Sequence, residues 1–466
     1  MSSNLSRFRP GLALATILGG QIMLTMDFLI VLVALPKIQE ELGFSATGLS
    51  WVPNAFALAF GGLLLLGGRL GDMHGQVKSF KVGIAIFVAA SLLGGMAGTP
   101  LVLIVARVFQ GVGGALAGPS VVALITSMAR NEVERNRGLS LFIAVSSVGA
   151  SAGLILGGAL TDLLSWRWSL LINVPIGAVV LVVIGRLVEE TEPKPAQLDI
   201  SGALTATIGS VALVYGFISA AEHGWVSVST ILSFVISAIL LVSFFLIERR
   251  AAQPLLDLSL LRSKPRLGGL AVMAIIVGMH FSVLFLIVQY LQQVLGFASL
   301  AAGLAYLPLS VTMFVVSPTM PRFIARLGTR ALLGAGGVLV AASCVGFAML
   351  DGSSTYFPDI FIPLVLHAIG VALVFTPGTV AILEGVPDEY AGAASGLLQM
   401  DQQVGGALGL AVVAAVYAAN AVPKDFSSGL GAGFTAAAAI SLLSAVIAVR
   451  TGGRRKPSAS AVAANS

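Results

Sequence analysis

The chain has 466 residues, 57% of them hydrophobic and only 10% charged, where a soluble domain carries about 25% charged residues. A mean hydropathy of +0.98 excludes a soluble core of this size, and the net charge of +5 sits in short loops between apolar runs rather than in a patch suited to nucleic acid. A single cysteine, Cys344, and four scattered histidines leave neither an intrachain disulfide framework nor a metal-binding spacing.

A membrane-crossing helix needs about 20 apolar residues. The sequence supplies fourteen such runs, at about 13–35, 47–68, 80–98, 101–127, 138–160, 168–188, 200–221, 228–247, 267–289, 300–321, 331–350, 357–382, 391–418 and 431–449. The first follows Arg7 and Arg9 and is too long for the core of a cleavable signal peptide. It contains one carboxylate, in Met23-Leu24-Thr25-Met26-Asp27-Phe28-Leu29-Ile30. A charge at the bilayer centre costs at least ~2.5–3.5 kcal/mol, so an intramembrane acid marks function by default. Asp27 lies about eight residues from the outer end of its run, or ~12 Å deep. Arg107, in the fourth run, lies about six residues from that end, or ~9 Å deep at the helical rise of about 1.5 Å. The two are predicted to meet. A neighbouring cation favours a charged carboxylate and burial favours the neutral acid, so an acid held between these influences can load and release a proton.

The second and third runs are joined by Gly68-Arg69-Leu70-Gly71-Asp72-Met73-His74-Gly75, and the tenth and eleventh by Pro321-Arg322-Phe323-Ile324-Ala325-Arg326-Leu327-Gly328. Arg69 matches Arg322 and Gly75 matches Gly328 at the same spacing. The fifth run carries Gly149, Gly153, Gly157 and Gly158, and small residues four apart let helices approach closely. Gly405 and Gly409 in the thirteenth run echo Gly149 and Gly153. Both echoes relate a run to the one eight places later. They predict two six-helix bundles, residues 1–188 and 267–450, flanking an inserted pair of helices in 189–266, with a disordered cytoplasmic tail over 451–466.

Four further polar or aromatic residues, Trp51, Gln289, Gln399 and Asp401, are candidates for a substrate or second proton site. For Asp401 the alternative is a place in the wet cytoplasmic half of its span. His280 and His367 read as hydrogen-bonded packing residues. Positive charge sets sidedness. Twenty-two lysines and arginines fall on one side of the fourteen runs, against Lys37, Arg167 and Lys424 on the other, which predicts that both termini are cytoplasmic.

The 68–78 loop, Gly-x-Leu-Gly-Asp-x-x-Gly-x-x-Lys, resembles the signature loop of the major facilitator superfamily. Arg107-Val108-Phe109-Gln110-Gly111 is similar to the family's Arg-Val-x-Gln-Gly motif. The glycines of the fifth run resemble its antiporter motif Gly-x-x-x-Gly-Pro-x-x-Gly-Gly, with Leu154 in place of the proline. With Trp166-Arg167-Trp168 before the sixth run and Leu198-Asp199-Ile200-Ser201-Gly202 before the seventh, the chain resembles the fourteen-span drug:proton antiporter family. The resemblance implies an all-α polytopic membrane protein of the major facilitator fold, with fourteen transmembrane helices, in the bacterial cytoplasmic membrane. It implies efflux of an amphipathic drug or antibiotic in exchange for protons, by alternating access. Asp27 and Arg107 would carry proton coupling, and Gly149, Gly153, Gly157 and Gly158 the antiporter helix packing. Gly68, Asp72 and Gly75 would form a conformational latch, Asp72 facing the start of the thirteenth run near Gly392 to Ser395. The expected partners are a small amphipathic substrate, protons and membrane lipid, with no nucleic acid, and the protein is expected to work as a monomer without metal or cofactor.

Two rivals are weighed. A proton-coupled uptake symporter for a small organic solute or peptide is disfavoured by the antiporter glycines and by the lack of a Glu-x-x-Glu-Arg run in the first span. A membrane enzyme or sensor is disfavoured because no paired catalytic carboxylates or nucleophile elbow is present, and no Walker loop supports ATP coupling. Sidedness is directly testable. Accessibility tags placed after Ser2 and after Ser458 are expected to stay unlabelled by impermeant reagent in intact cells, and external labelling of either would reverse the topology.

Overall fold

A computed structural model describes residues 10–45, 47–129, 131–192, 199–251, 263–386, 391–422 and 425–451. The tail expected to be disordered lies outside them from residue 452 onward, as does Lys424. Inside lipid every backbone N–H and C=O must be satisfied within its own segment, and the apolar runs are accordingly α-helical. In chain order the helices are α1 (Pro10–Leu42), α2 (Trp51–His74), α3 (Gln76–Gly95), α4 (Pro100–Met128), α5 (Glu132–Leu163), α6 (Trp168–Leu171), α7 (Asn173–Leu187), α8 (Ile200–His223), α9 (Val228–Glu248), α10 (Lys264–Gln293), α11 (Ser299–Leu304), α12 (Leu307–Val316), α13 (Met320–Ala348), α14 (Phe361–Leu383), α15 (Ala391–Asn420) and α16 (Leu430–Thr451).

Among the described residues, twelve stretches are long and apolar enough to cross a membrane, and Ala152–Leu163 within α5 is a shorter apolar helix. One of the twelve, Ser299–Ala348, is 50 residues long. A straight helix of that length would measure about 75 Å, more than twice the hydrocarbon thickness of about 30 Å. The chain does not run straight. Pro308 in the first turn of α12 and Pro318 in the 3-10 turn Ser317–Thr319 remove backbone donors, and Gly328, at φ 78° and ψ 158°, folds α13 sharply.

Gly75, between α2 and α3, has the same backbone form at φ 98° and ψ 140°. Side chains disfavour this region and glycine does not. The loop echo seen in sequence is therefore a shared turn. The register continues into the helices that follow. A methyl group on Gly83 of α3 would meet the Gly113 carbonyl oxygen of α4 at 2.6 Å, and one on Gly336 of α13 would meet that of Gly370 on α14 at 2.7 Å.

Helices α1 to α7 pack on one another, as do α10 to α16, and the α8–α9 hairpin lies against both α2 and α15. Ser45 donates to the Glu222 carboxylate at the end of α8 at 2.7 Å, and Thr47 also bonds that carboxylate. Val214 and Ile218 of α8 share one apolar cluster with Ala57 and Leu58 of α2 and with Ala407 and Ala411 of α15. Between the two larger groups, α2 meets α15, α1 meets α10, and α5 meets α11.

The predicted outer end is closed by polar contacts. Asp162 of α5 accepts bonds from the Ser299 and Leu300 amides at 3.0 and 2.7 Å, and Gln292 Nε2 donates to the Val33 carbonyl at 2.8 Å. Hydrogen bonds to a charged group contribute about 1.5–3 kcal/mol, and about 1.4 kcal/mol is a tenfold change in an equilibrium. Asp162→Ala is therefore expected to raise external maleimide labelling of a cysteine placed at the buried Val33, in a Cys344→Ala background, by roughly tenfold. Unchanged labelling would mean that this contact does not hold the outer end shut.

Candidate functional site

Thr99 caps α4, its hydroxyl accepting from the Val102 amide, and Pro100 opens the helix where its missing N–H costs nothing. Two turns later α4 presents Arg107 and then Gln110. The α6–α7 break brings Asn173, the first residue of α7, to the same level. Asp27 comes from the middle of α1 and Ser91 from α3. All five side chains are buried, Asp27 and Arg107 with 0% exposure.

Arg107 Nη1 donates to Asp27 Oδ2 at 2.5 Å. Gln110 Nε2 and Asn173 Nδ2 donate to Oδ1 at 2.9 and 2.6 Å. The carboxylate thus accepts three hydrogen bonds, the arrangement that suits its ionised form. Arg107 also donates through Nε to the Val52 carbonyl at 3.0 Å and through Nη1 to Gln110 Oε1 at 2.8 Å, with its guanidinium 4.7 Å from the Phe56 ring centroid. Gln110 Nε2 further contacts Ser91 Oγ at 2.8 Å. Two buried atoms are left without a partner, Arg107 Nη2 and Asn173 Oδ1.

The hydrogen bonds of the site can survive protonation of Asp27. If Asp27 takes a proton, Arg107 keeps neutral acceptors on Val52 and Gln110. A protonated Asp27 needs an acceptor, and turning the Asn173 amide would offer its spare Oδ1. The protonated state still leaves the Arg107 charge without its counter-ion, and an uncompensated buried charge costs about 3–5 kcal/mol where the partner is removed outright.

The structure brings Asp27 and Arg107 together, as their depths predict. Gln110, a member of the Arg-Val-x-Gln-Gly motif, and Asn173, seven residues after Trp166, had no expected role at the acid. The available signal was an amide side chain in an otherwise apolar run. Three of the four α5 glycines lie flat on α1: methyl groups at Gly149 and Gly153 would meet Thr25 Oγ1 at 2.5 Å and the Met26 carbonyl at 2.6 Å, and one at Gly157 would meet the Ile30 carbonyl. Gly158 faces α11 instead, against the Ser299 carbonyl. Helix α5 runs on through Leu154 without a proline.

At the expected latch, Asp72 is exposed and accepts a bond from Gln76 Nε2 at 2.9 Å. Gly75 makes the turn, and Gly68 packs on Pro119. The surroundings of Gly392 and the side chain of Ala393 lie outside what the structure describes. A carboxylate does sit at a helix start here, but it is Glu190, which accepts from the Val77 and Lys78 amides of α3 at 2.8 and 2.9 Å. It satisfies amides that a helix start leaves open and complements the helix dipole.

The candidate substrate residues are not gathered in one place. Asp401 is half-buried with Oδ2 unpartnered, and Gln399 is exposed. Gln289 bonds its own helix at Phe285, and Trp51 packs its ring 6.4 Å from that of Tyr215 on α8. His280 and His367 are hydrogen-bonded to each other at 3.2 Å.

The sequence profile described as Major Facilitator Superfamily matches residues 17–410. The chain is 37% identical over 405 residues to the uncharacterised MFS-type transporter EfpA of Mycobacterium tuberculosis, covering 87% of this chain and 76% of that protein. It is 36% identical over 439 residues to the cephamycin export protein CmcT of Amycolatopsis lactamdurans, covering 91% and 89%. It is also 36% identical over 407 residues to the puromycin resistance protein pur8 of Streptomyces alboniger, covering 86% and 80%. Among solved structures, a peptide transporter POT in complex with sulfate superposes with a TM-score of 0.69 at 17% identity, over 94% of this chain and 95% of that one; at that identity the likeness is one of fold. Its helical fold, its match over most of its length and its export-protein relatives together place the chain in the Major Facilitator Superfamily, a family of transporters rather than enzymes.

Proposed function

We propose that the protein exports amphipathic drugs or antibiotics from the bacterial cytoplasm in exchange for protons. The observation that carries this reading is the Asp27 carboxylate, wholly buried in an apolar helix and held by Arg107, Gln110 and Asn173. An ionisable group at that depth needs a reason to be there, and a carboxyl whose partners tolerate both protonation states provides one. The names of the relatives, a cephamycin exporter and a puromycin resistance protein, support export of drug-like molecules.

In this reading the chain crosses the cytoplasmic membrane fourteen times with both termini inside. The helices α6–α7 form one span. The chain from α11 to Gly328 forms another, and the remainder of α13 the next. Residues 1–188 and 267–450 are two bundles that rock about the substrate, and 189–266 carries the inserted pair. The protein acts as a monomer, without a cofactor. With the outer end closed, Asp27 gives its proton to the cytoplasm and substrate binds. Reopening outward releases substrate and lets Asp27 reload. Asp401 is the candidate group for a cationic substrate.

Asp27→Asn keeps the shape of the side chain but cannot exchange a proton. It is expected to abolish gradient-driven efflux and substrate-induced proton release, while substrate binding and a monodisperse elution profile survive. Arg107→Lys should restore only part of the activity of an Arg107→Ala protein, since a point charge does not replace the planar fork. Proton release by Asp27→Asn equal to wild type would make this acid a structural pair member and move the coupling role to another group.

The latch makes a separate prediction. Charges at helix ends contribute ~0.3–1 kcal/mol, enough to rebalance two nearly equal states without unfolding either. Asp72→Asn should slow transport severalfold at normal expression level. Wild-type transport by this variant would reduce Asp72 to the solvated turn residue that its Gln76 contact describes.

A further inference from the structure

Three residues in the second helix group repeat the wiring of the acid site. Gln110 lies three residues before Gly113, and His367 three residues before Gly370. Because Gly113 and Gly370 pack on matching glycines of the preceding helices, Gln110 and His367 hold the same place on α4 and α14. Gln110 links Ser91 of α3 to Asp27 of α1. His367 links Ser343 of α13, at 3.1 Å, to His280 of α10, at 3.2 Å. Where the first group has a serine, an amide and an acid, the second has a serine and two imidazoles.

In one set of tautomers these hydrogen bonds fix every proton. Ser343 Oγ donates to the Val340 carbonyl at 2.7 Å, so it accepts from His367 Nδ1–H. His367 Nε2 then carries a lone pair and accepts from His280 Nδ1–H. This leaves His280 Nε2 as the one uncommitted acceptor among Ser343, His367 and His280. His367 and Ser343 have 0% exposure, whereas His280 is only half-buried, so the free nitrogen belongs to the more accessible ring. The imidazole rings lie parallel within 10° at 5.4 Å between centroids.

We propose that His280 and His367 form a second proton-binding site, the counterpart in the α10–α16 group of Asp27 in the first. It rests on the proton-coupled reading above and adds a second proton to it. A proton from water adds to the lone pair of His280 Nε2. The Nδ1 proton of His280 can then pass to His367 Nε2, so that the positive charge is shared by the two rings. Release reverses these N–H steps, and no other bond changes.

The surroundings leave that charge uncancelled. On α13 the neighbouring titratable group is Cys344, beside Ser343, and α14 carries none other than His367. On α15, Gly405 packs on Ala274, which sets Asp401 about 15 Å from His280 toward the predicted cytoplasmic end at ~1.5 Å per residue. Tyr306, before α12, is engaged with the Leu284 carbonyl. On α1, Asp27 is already bonded to Arg107, although its neighbour Phe28 reaches Phe281 with ring centroids 4.8 Å apart. Arg450 on α16 lies at its cytoplasmic end. Loading the pair therefore adds a whole charge, and movement of the site across the field would make transport sense voltage.

The test uses the full chain labelled with 15N-histidine in detergent, titrated from pH 5 to pH 9 by NMR. Two ring systems, assigned by their loss in His280→Gln and His367→Asn, are expected to titrate together and apart from the exposed His74 and His223. Rings that keep the neutral tautomer pattern across this range would overturn the proposal. A functional arm uses ethidium in proteoliposomes with the voltage clamped to zero. One pH unit should concentrate the dye roughly a hundredfold for two protons and ~tenfold for one, and His280→Gln should convert the first value into the second. An unchanged hundredfold ratio in His280→Gln would also overturn it. If no gradient-driven transport occurs even in wild type, the proton-coupled reading fails, and the NMR titration alone decides whether the imidazole pair binds a proton.

Discussion

A single acid buried among apolar helices governs much of this molecule. Asp27 lies in an apolar helix, and nothing in lipid can solvate it, so three other helices are obliged to bring partners. Arg107 comes from α4, Asn173 from the start of α7, and Ser91 of α3 braces Gln110. Each of these helices must keep its register to within a fraction of a turn, or a charge is stranded at several kcal/mol. The Gly83–Gly113 crossing and the flat glycine face of α5 on α1 hold that register. The polar cluster and the small-residue crossings are two sides of one requirement.

The fold was largely legible in the sequence because the physics that sets it is one-dimensional. Apolar runs of the right length become helices, and lysines and arginines mark a side. The Gly75 and Gly328 echo was readable because only glycine accepts the backbone those turns need. Boundaries were less legible. Helix α1 continues to Leu42, well past the expected end, because Glu41 ties its last turn to Trp166 and Arg167. The tenth run broke at Pro308 and Pro318, a division that residue content predicts better than hydropathy does.

The site was legible in its charges and obscure in its amides. Asp27 and Arg107 stand out because charge in an apolar run is costly. Gln110 and Asn173 cost less, so each alone resembles a packing residue. Their importance appears only when helices distant in sequence are assembled. The same holds for His280 and His367, whose link to Ser343 depends on three helices. Glu190 was missed for another reason: it lies in a linker, and its role follows from where the start of α3 falls in space.

The α8–α9 hairpin has unequal attachments. Glu222 binds it by hydrogen bonds to Ser45 and to Thr47, just ahead of α2. Its apolar residues Val214 and Ile218 meet Ala57 and Leu58 of α2 as well as the alanines at 407 and 411 of α15, so toward α15 the contact is apolar alone. Hydrogen bonds have fixed partners, whereas apolar surfaces can slide with little loss of contact. If the two bundles rock as proposed, the carboxylate of Glu222 would tie the end of α8 to the chain ahead of α2, while the methyl-lined contact with α15 could slide.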